Sequence, residues 1–189
     1  MPAIRQTALP GVVAIMPDRH GDHRGFFSET FSARLMAEHG LPQSFCQDNH
    51  SLSREAGVIR GLHYQLPPFA QDKLVRVVRG AIFDVAVDIR RGSPSFGQWV
   101  GVELSADNWT QLLVPKGFAH SFLTLEPDTE VVYKVTDFYN RDSERAIRYD
   151  DPDIAIAWPG LASPPVLSEK DAAAPFLRDV DVFESAGEA

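Results

Sequence analysis

Residues 58–80 decide the fold, and they read Val58-Ile59-Arg60-Gly61-Leu62-His63-Tyr64-Gln65, then Leu66-Pro67-Pro68-Phe69, then Lys73-Leu74-Val75-Arg76-Val77-Val78-Arg79-Gly80. Both outer segments are rich in β-branched and aromatic residues, and the proline pair favours a turn because proline cannot donate to a sheet ladder. The stretch is therefore predicted to be a β-hairpin carrying one histidine, three arginines and one lysine. A strand that served only the core would alternate apolar with neutral polar residues, so these cations indicate an anionic ligand.

The cations of this stretch differ in how strongly they indicate an anion-binding site. Arg76 and Arg79 fit a solvated outer face as well as an anion site, because charged residues are mostly exposed. Arg60 and His63 are assigned to the site. They are three positions apart and would face opposite ways on a regular strand, so one pocket can use both only if Gly61 permits a bulge or the pocket spans a strand end.

The whole chain has the composition of an ordinary globular protein, with 189 residues, 44% hydrophobic and 23% charged. Its net charge of -8 argues against a nucleic-acid polymer as partner, because a phosphate backbone requires broad positive potential, but it allows a small anion. The single cysteine, Cys46, rules out an intramolecular disulfide and is typical of a reducing compartment. The sequence shows no signal-peptide pattern and no membrane-spanning run, so we expect a cytoplasmic protein.

From Phe45 onward, short strand-like segments alternate with turn residues, without an internal repeat or linker, which indicates an all-β sandwich or barrel. Strands are expected over 81–90, 98–104, 110–114, 121–125 and 130–136. Alternation in 81–90 places the odd-numbered apolar residues on one face and Asp84 and Asp88 together on the other.

The first 50 residues are expected to form an arm with a strand over Val12 to Met16, a loop over Pro17 to Gly25 and a short helix over Ala33 to His39. Ser32 can cap that helix, and a glycine and a proline follow it. His20 and His23 lie in the loop without a third ligand of matching geometry, so they are interpreted as surface residues rather than a metal site.

We expect one domain over residues 1–189, with residues 1–50 as the arm and residues 151–189 as a C-terminal segment. The C-terminal segment is rich in Pro and Asp and is expected to wrap the outside, with a helical turn at Ser168 to Ala174.

Residues 115–120 read Pro115-Lys116-Gly117-Phe118-Ala119-His120 and resemble the second motif of the cupin superfamily, a jelly-roll barrel also called a double-stranded β-helix. Metal-binding cupins carry, upstream, His-x-His and then a Glu six residues before a Gly. The matching positions here read His63-Tyr64-Gln65 and Lys73, with six residues between Lys73 and Gly80. A charged lysine offers only donors and repels a divalent cation, so the resemblance implies an all-β cupin-type barrel without a metal.

The resemblance becomes specific when several stretches are taken together: Asp22 to Phe31, Gln47 to Ser51, Arg60 to Gln65, Lys73 to Arg76, Pro115 to His120, and Tyr133-Lys134. In order and spacing they resemble the dTDP-4-dehydrorhamnose 3,5-epimerase family of the dTDP-L-rhamnose pathway. The similarity runs from roughly Pro10 to Pro159 and again from Leu167 to Asp171. It implies a homodimer, without metal or cofactor, that inverts C3 and C5 of a dTDP-linked 4-keto-6-deoxyhexose.

Inverting a carbon next to a ketone requires a base on one face, an acid on the other and stabilisation of the enolate oxygen. His63 suits the base, since imidazole titrates near neutrality, at about 6.5 in model peptides. By resemblance, Asp171 is the carboxylate that orients His63, and Tyr133 is the acid on the opposite face. The simpler alternatives are that Asp171 completes a helix cap with Ser168 and that Tyr133 only packs within a strand.

Lys73 and Arg60 are expected at the enolate and the neighbouring phosphate, because charge-assisted hydrogen bonds are the strong ones. An aromatic ring at Phe138 or Tyr139 should stack on thymine, and we favour Tyr139. The resemblance assigns substrate binding to Arg24, Glu29, Gln47, Asn49, Arg60, His120, Tyr139, Glu144 and Lys170. Each of these also fits surface polarity or turn capping.

Two other functions fit the same residues. Related enzymes of antibiotic-sugar pathways invert only C3 or only C5 on the same scaffold. A non-catalytic sugar-nucleotide-binding cupin would keep Arg24, Arg60 and Lys73 but would not need His63 opposite Tyr133. Because a jelly roll leaves sheet edges to cover, we expect the N-terminal strand or the loop from Arg24 to Glu29 to reach the barrel of a second copy.

Overall fold

Short β-strands make up most of the regular structure of the computed structural model, which describes residues 2–160 and 164–184. The strands are β1 Ala3–Gln6, β2 Val13–Met16, β3 His20–Asp22, β4 Gly25–Phe27, β5 Gln47–Ser53, β6 Ile59–Gln65, β7 Lys73–Arg79, β8 Ala81–Asp88, β9 Trp99–Ser105, β10 Gln111–Val114, β11 Phe118–Thr124, β12 Thr129–Val135 and β13 Glu144–Ala146. The helices are α1 Ala33–Glu38, α2 Glu169–Ala172 and a single 3-10 turn at Leu177–Asp179.

The strands form two facing antiparallel sheets and one separate hairpin. The six-stranded sheet has the order β1-β2-β10-β7-β12-β5, and the five-stranded sheet has the order β13-β6-β11-β8-β9. The hairpin consists of β3 and β4. The expected all-β architecture is therefore confirmed.

The predicted hairpin of β6 with β7 is wrong. β6 pairs with β11 and β13 in one sheet, whereas β7 pairs with β10 and β12 in the other. The connection over 66–72 contains Pro67 and Pro68 and is longer than the two-residue turns that join tight hairpins. The chain therefore uses it to cross from one sheet to the other.

Residues of β8 divide between two apolar clusters, as the alternation predicted. Ile82 and Ala86 pack between the sheets against Val75 and Val131. The odd-numbered residues face outward and are covered by the C-terminal segment. This outer cluster includes Val85, Val87, Ile89, Ile154, Leu177, Val182 and Phe183. Asp84, between Ile82 and Ala86 in sequence, therefore points into the space between the sheets.

The N-terminal arm differs from the expectation in one element. Residues expected as a loop form the β3–β4 hairpin, whose turn is closed by a hydrogen bond from the Arg24 amide to Asp22 Oδ1. All its strand residues are exposed, so neither strand needs the alternation of apolar and polar residues by which a half-buried strand is recognised in a sequence. The predicted helix is confirmed as α1, although the Ser32 side chain makes no capping hydrogen bond. No helix in the described ranges has the length and apolar character needed to span a membrane.

Strand β6 has a bulge at Gly61. This is one of the two conditions under which Arg60 and His63 can line the same pocket. His63 pairs with His120 and Arg60 with Phe122, so three steps along β6 match two steps along β11. Gly61 has φ +118°, and a Cβ at this position would lie 2.5 Å from the His120 carbonyl oxygen and 2.9 Å from Ser121 Cα. Only glycine fits this close approach of two backbones.

We expect Gly61→Ala to lower the free energy of unfolding by about 3 to 4 kcal/mol, because overpacking against backbone adds to the strain of a positive φ. Gly57→Ala is the matched control, since Gly57 also has a positive φ, +85°, but has no atom within 4 Å of the added Cβ. The control should lose only about 1 kcal/mol. Urea unfolding of both variants measures the difference, and equal losses would contradict the role given to the backbone contact.

Candidate active site

A concave site lies between the two sheets. It is a cavity of about 600 Å³ with His63 and His120 on the five-stranded sheet and Lys73 and Tyr133 on the six-stranded sheet. A smaller cavity of about 160 Å³ shares His63, Lys73 and Tyr133 with it, so the two form one continuous site. The crossing of the chain between the sheets explains this arrangement, because it places His63 and Lys73 on facing walls.

His63 is paired with a carboxylate that is remote in sequence. Its Nε2 lies 2.6 Å from Asp171 Oδ1, and Asp171 is almost fully buried. Burial alone would raise the pKa of the Asp171 carboxyl, but the hydrogen bond and charge of His63 outweigh it and hold that pKa below its usual value. An ionised carboxylate only accepts, so Nε2 of His63 carries the proton and Nδ1 is left as the basic nitrogen.

Helix α2 gives Asp171 two functions that the sequence left as alternatives. The Ser168 hydroxyl accepts a hydrogen bond from the Asp171 amide at 3.1 Å, which caps the helix. The Asp171 carboxylate turns instead to His63. Capping of the helix therefore uses the backbone of Asp171 and leaves its side chain for the histidine.

Tyr133 faces the cavity from β12, with Asn49 opposite it on β5 and Val75 opposite it on β7. Burial raises the pKa of the Tyr133 hydroxyl, against the charge of Arg60 and with the charge of Glu144. The hydroxyl is therefore protonated at neutral pH and able to donate. Since His63 lies on the other sheet, the two groups approach a bound molecule from opposite sides.

Lys73 occupies the first position of β7, where its Nζ donates to the His63 carbonyl oxygen at 3.1 Å. Burial lowers the pKa of Lys73 to about 8, while the charges of Asp84 and Glu144 oppose this shift. The lysine is therefore an ammonium at neutral pH and loses its proton as the pH rises through about 8. It is a compact positive charge beside the histidine.

His120 lines the same cavity and is hydrogen-bonded through Nε2 to Asp84 Oδ1. The alternation of residues 81–90 predicted the face on which Asp84 lies, but the sequence analysis did not include Asp84 among the site residues. The available signal was that Asp84 and Asp88 both lie at inward positions of a strand whose other residues are apolar. Arg60 also lines the cavity, and its Nε and Nη2 donate to Ser53 Oγ at 3.2 Å and to the Leu52 carbonyl at 3.1 Å.

The smaller cavity gathers the polar residues expected to bind substrate at the other end of the site. It is lined in part by Gln47, Asn49, Tyr139 and Glu144. Glu144 accepts from Tyr139 Oη at 2.9 Å and from Lys170 Nζ at 2.6 Å. Burial alone would raise the pKa of Glu144, but these two donors and nearby positive charge lower it. The rings of Phe138 and Tyr139 are 61% and 57% exposed, so both can receive a planar base.

Gln65, at the position of a metal ligand in metal-binding cupins, has a structural use instead. Its amide donates to the carbonyls of Phe69 and Phe138, and its Oε1 accepts from the Asn140 amide. Over residues 2–160 and 164–184 no group of three or more His, Cys, Asp or Glu is placed to hold a metal ion. Independence from metal remains a prediction for the assay below.

Some of the expected site residues lie away from both cavities. Arg24 is exposed at the tip of the β3–β4 hairpin and pairs with Asp22 of the same hairpin. Glu29 lies beside α1 in a separate small pocket. Within one chain, therefore, Arg24 and Glu29 do not join the other predicted residues.

The two arginines that fitted a solvated face as well as an anion site also lie outside both cavities. Arg76 lines a cavity on the other side of Tyr133, and Arg79 pairs with acidic side chains at the surface.

The chain is similar to one known protein family over most of its length. The family model of dTDP-4-dehydrorhamnose 3,5-epimerase matches residues 6–179. The dTDP-4-dehydrorhamnose 3,5-epimerase of Sinorhizobium fredii is 51% identical over 175 residues, which is 93% of this chain and 89% of that protein.

Solved structures extend the likeness to the fold. The dTDP-6-deoxy-D-glucose-3,5-epimerase of Legionella pneumophila, in complex with dTDP-4-keto-L-rhamnose, superposes with a TM-score of 0.91 at 49% identity, covering 96% of this chain and 95% of that one. The Bacillus anthracis dTDP-4-dehydrorhamnose 3,5-epimerase, with TDP and PPi bound, gives 0.89 at 47% identity, covering 93% and 99%. The barrel is thus the cupin-type jelly roll that the sequence predicted, and the chain belongs to the dTDP-4-dehydrorhamnose 3,5-epimerase family.

Proposed function

We propose that this protein is an isomerase that converts dTDP-4-dehydro-6-deoxy-D-glucose to dTDP-4-dehydro-L-rhamnose by inverting C3 and C5. The observation that carries the proposal is the His63–Asp171 pair facing Tyr133 across one cavity, which the Lys73 ammonium also lines. The family of the chain supplies the substrate class.

His63 acts as the base that removes the proton from carbon. Its Nδ1 is basic because Asp171 fixes the proton on Nε2, and the carboxylate also stabilises the imidazolium that forms. Both C3 and C5 neighbour the C4 ketone, so removal of either proton gives an enolate with its charge on the same oxygen. A single base and a single oxygen site therefore serve both inversions.

Lys73 stabilises the enolate oxygen. A compact ammonium suits a single oxygen, whereas the planar guanidinium of Arg60 is better shaped for phosphate. Lys73 is also held by the His63 carbonyl, so its charge is placed before the substrate binds. A charge that is already in position stabilises the transition state more than a charge that must reorganise during the reaction.

Tyr133 returns the proton on the face opposite His63. Its hydroxyl stays protonated because burial raises its pKa. A proton delivered from the six-stranded sheet after one was removed toward the five-stranded sheet inverts the carbon. This facing arrangement favours an epimerase over a non-catalytic sugar-nucleotide-binding cupin, which would not need an acid opposite the base.

The nucleotide part of the substrate is assigned to the exposed end of the site. Tyr139, held by its hydrogen bond to Glu144, is the favoured ring for stacking on thymine. The cavity residues Arg60 and His120 and the smaller-cavity residues Gln47 and Asn49 offer polar contacts to the sugar and diphosphate. Lys170 supports this end through Glu144.

We further propose a homodimer in which the β3–β4 hairpin completes the site of the partner. Phe26 and Phe27 on β4 are 57% and 72% exposed, and such apolar exposure is typical of an interaction surface. The hairpin carries Arg24 and leads to Glu29, the predicted binding residues that lie outside both cavities of their own chain. Reaching across to a second copy would bring these two side chains to a substrate.

The reaction predicts exchange of substrate protons with solvent. Proton NMR of dTDP-4-keto-6-deoxyglucose with the protein in D2O, in the presence of EDTA, should show loss of both the H3 and H5 signals. Loss of only one signal would identify a single-position epimerase. Absence of exchange that a divalent metal then restores would contradict the metal-free site.

His63→Asn and Tyr133→Phe should each lower kcat by about 100- to 10,000-fold, the usual range for a lost general base or acid. Both proteins should keep their fold and bind dTDP, which isothermal calorimetry measures. His50→Asn is the matched control, because His50 pairs with Glu130 on the outer side of the sheet. Near wild-type exchange at both carbons in either site variant would reject the assigned acid–base pair.

Lys73→Met should lower kcat by about 100- to 1000-fold, the effect of losing one positioned stabiliser of developing charge. The wild-type kcat should fall as the pH rises through about 8, because the ammonium is lost there, and this falling limb should be absent from the residual activity of the variant. Steady-state kinetics from pH 6 to 10 test both points. A change confined to KM would instead assign Lys73 to ground-state binding.

A shared site predicts complementation between two defective chains. His63→Asn and Arg24→Ala should each have low activity alone, but their mixed dimers contain one intact site. Co-expression should restore about a quarter of wild-type activity, since half of the dimers are mixed and each has one of two sites intact. A fully active monomer in light scattering, or no gain on co-expression, would contradict the proposed dimer.

A further inference from the structure

Asp84 lies directly behind His120 in the interior of the barrel. It is fully buried, and His120 is only 7% exposed. Its Oδ1 accepts from His120 Nε2, while His120 itself lines the cavity. The bond fixes which ring nitrogen carries the proton and leaves Nδ1 of His120 without a contact to Asp84.

The second carboxylate oxygen of Asp84 is not hydrogen-bonded within the described residues. Oδ2 is buried and has no partner there. Burying an ionised carboxylate is costly unless positive charge lies close to it. A positive charge in the interior near Asp84 offsets part of this cost.

Lys73 provides that positive charge from the facing sheet. Asp84 follows Ile82 and precedes Ala86 on the inward face of β8, and both of these pack against Val75, which shares the inward face of β7 with Lys73. The two charged side chains thus point into the same interior from opposite sides. The charge of Asp84 is the largest influence that raises the pKa of Lys73 against burial.

Other titratable groups also face Lys73, and they divide by sign. Negative charge comes from Glu144 on β13 and from Asp171 on α2, the latter already paired with His63. The groups that face it from β6, β11 and β12 are Arg60, His63, His120 and Tyr133. Asp84 differs from all of these because it is fully buried and lines neither cavity.

We propose that Asp84 is a positioning residue of this site, which holds the His120 ring in one tautomer and keeps Lys73 charged through the pH range of catalysis. The proposal rests on the epimerase function and adds to it a residue that does not touch the substrate. Asp84 acts through His120 and Lys73, which do line the cavity.

Asp88 provides a matched control on the same strand. It shares the inward face of β8 and is also fully buried. Its carboxylate is satisfied by Arg90, Ser93 and Ser95, none of which lines the cavity. Replacing Asp88 therefore tests the cost of losing a buried carboxylate without disturbing the site.

The test is the pH dependence of kcat for wild type, Asp84→Asn and Asp88→Asn, measured as solvent exchange. Asp84→Asn removes the negative charge that favours the ammonium, so its falling limb should move to lower pH by about one unit. The limb of Asp88→Asn should stay at the wild-type position. An unmoved limb in Asp84→Asn, or an equal displacement in both variants, would overturn the proposal.

A second measurement needs neither a variant nor activity. Nitrogen-15 imidazole shifts of His120 in the wild-type protein should show Nε2 protonated, as donation to Asp84 requires. A tautomer protonated only on Nδ1 would overturn the proposal even if Asp84→Asn failed to fold. Failure of the epimerase function is distinct, because it would appear as absence of exchange in the wild type whatever the state of His120.

Discussion

The passage of the chain from one sheet to the other between Gln65 and Lys73 is the constraint on which the site depends. A hairpin would have placed His63 and Lys73 on one surface, side by side. The crossing instead sets the strands on facing walls, with His63 on one and both Lys73 and Tyr133 on the other. A molecule between these walls meets different chemistry on its two sides, and inversion of a carbon requires that difference.

The interior of the barrel carries charge that must balance locally. An ammonium partly buried between sheets is costly, and here it is accompanied by the carboxylates of Asp84 and Glu144. The pKa of Lys73 settles at about 8, which leaves the group charged at neutral pH while weakening its hold on the proton. The apolar residues between the sheets stabilise the fold. The acidic residues Asp84 and Glu144 favour the charged form of Lys73 within it.

The sequence predicted the class of fold and many of the residues that line the two cavities, for reasons that can be named. Alternation along residues 81–90 predicted both faces of β8. The spacing of Arg60 and His63 called for a bulge at Gly61 or a pocket that spans a strand end, and the structure has the bulge. The pairing of β6 with β7 was predicted wrongly, because local pattern cannot distinguish a turn within a sheet from a crossing between sheets. The exposed β3–β4 hairpin was missed because no burial pattern marks it.

The position of Asp171 late in the chain has a consequence for biosynthesis. The barrel strands end at Ala146, but the carboxylate that orients His63 arrives from α2, after the chain has returned along the outside. A polypeptide interrupted between these points would lack this carboxylate and also the apolar residues Leu177, Val182 and Phe183 that cover the outer face of β8. The C-terminal segment therefore both covers the outer apolar cluster and places Asp171 beside His63, so the packing of β8 and the pairing of the histidine depend on the same last part of the chain.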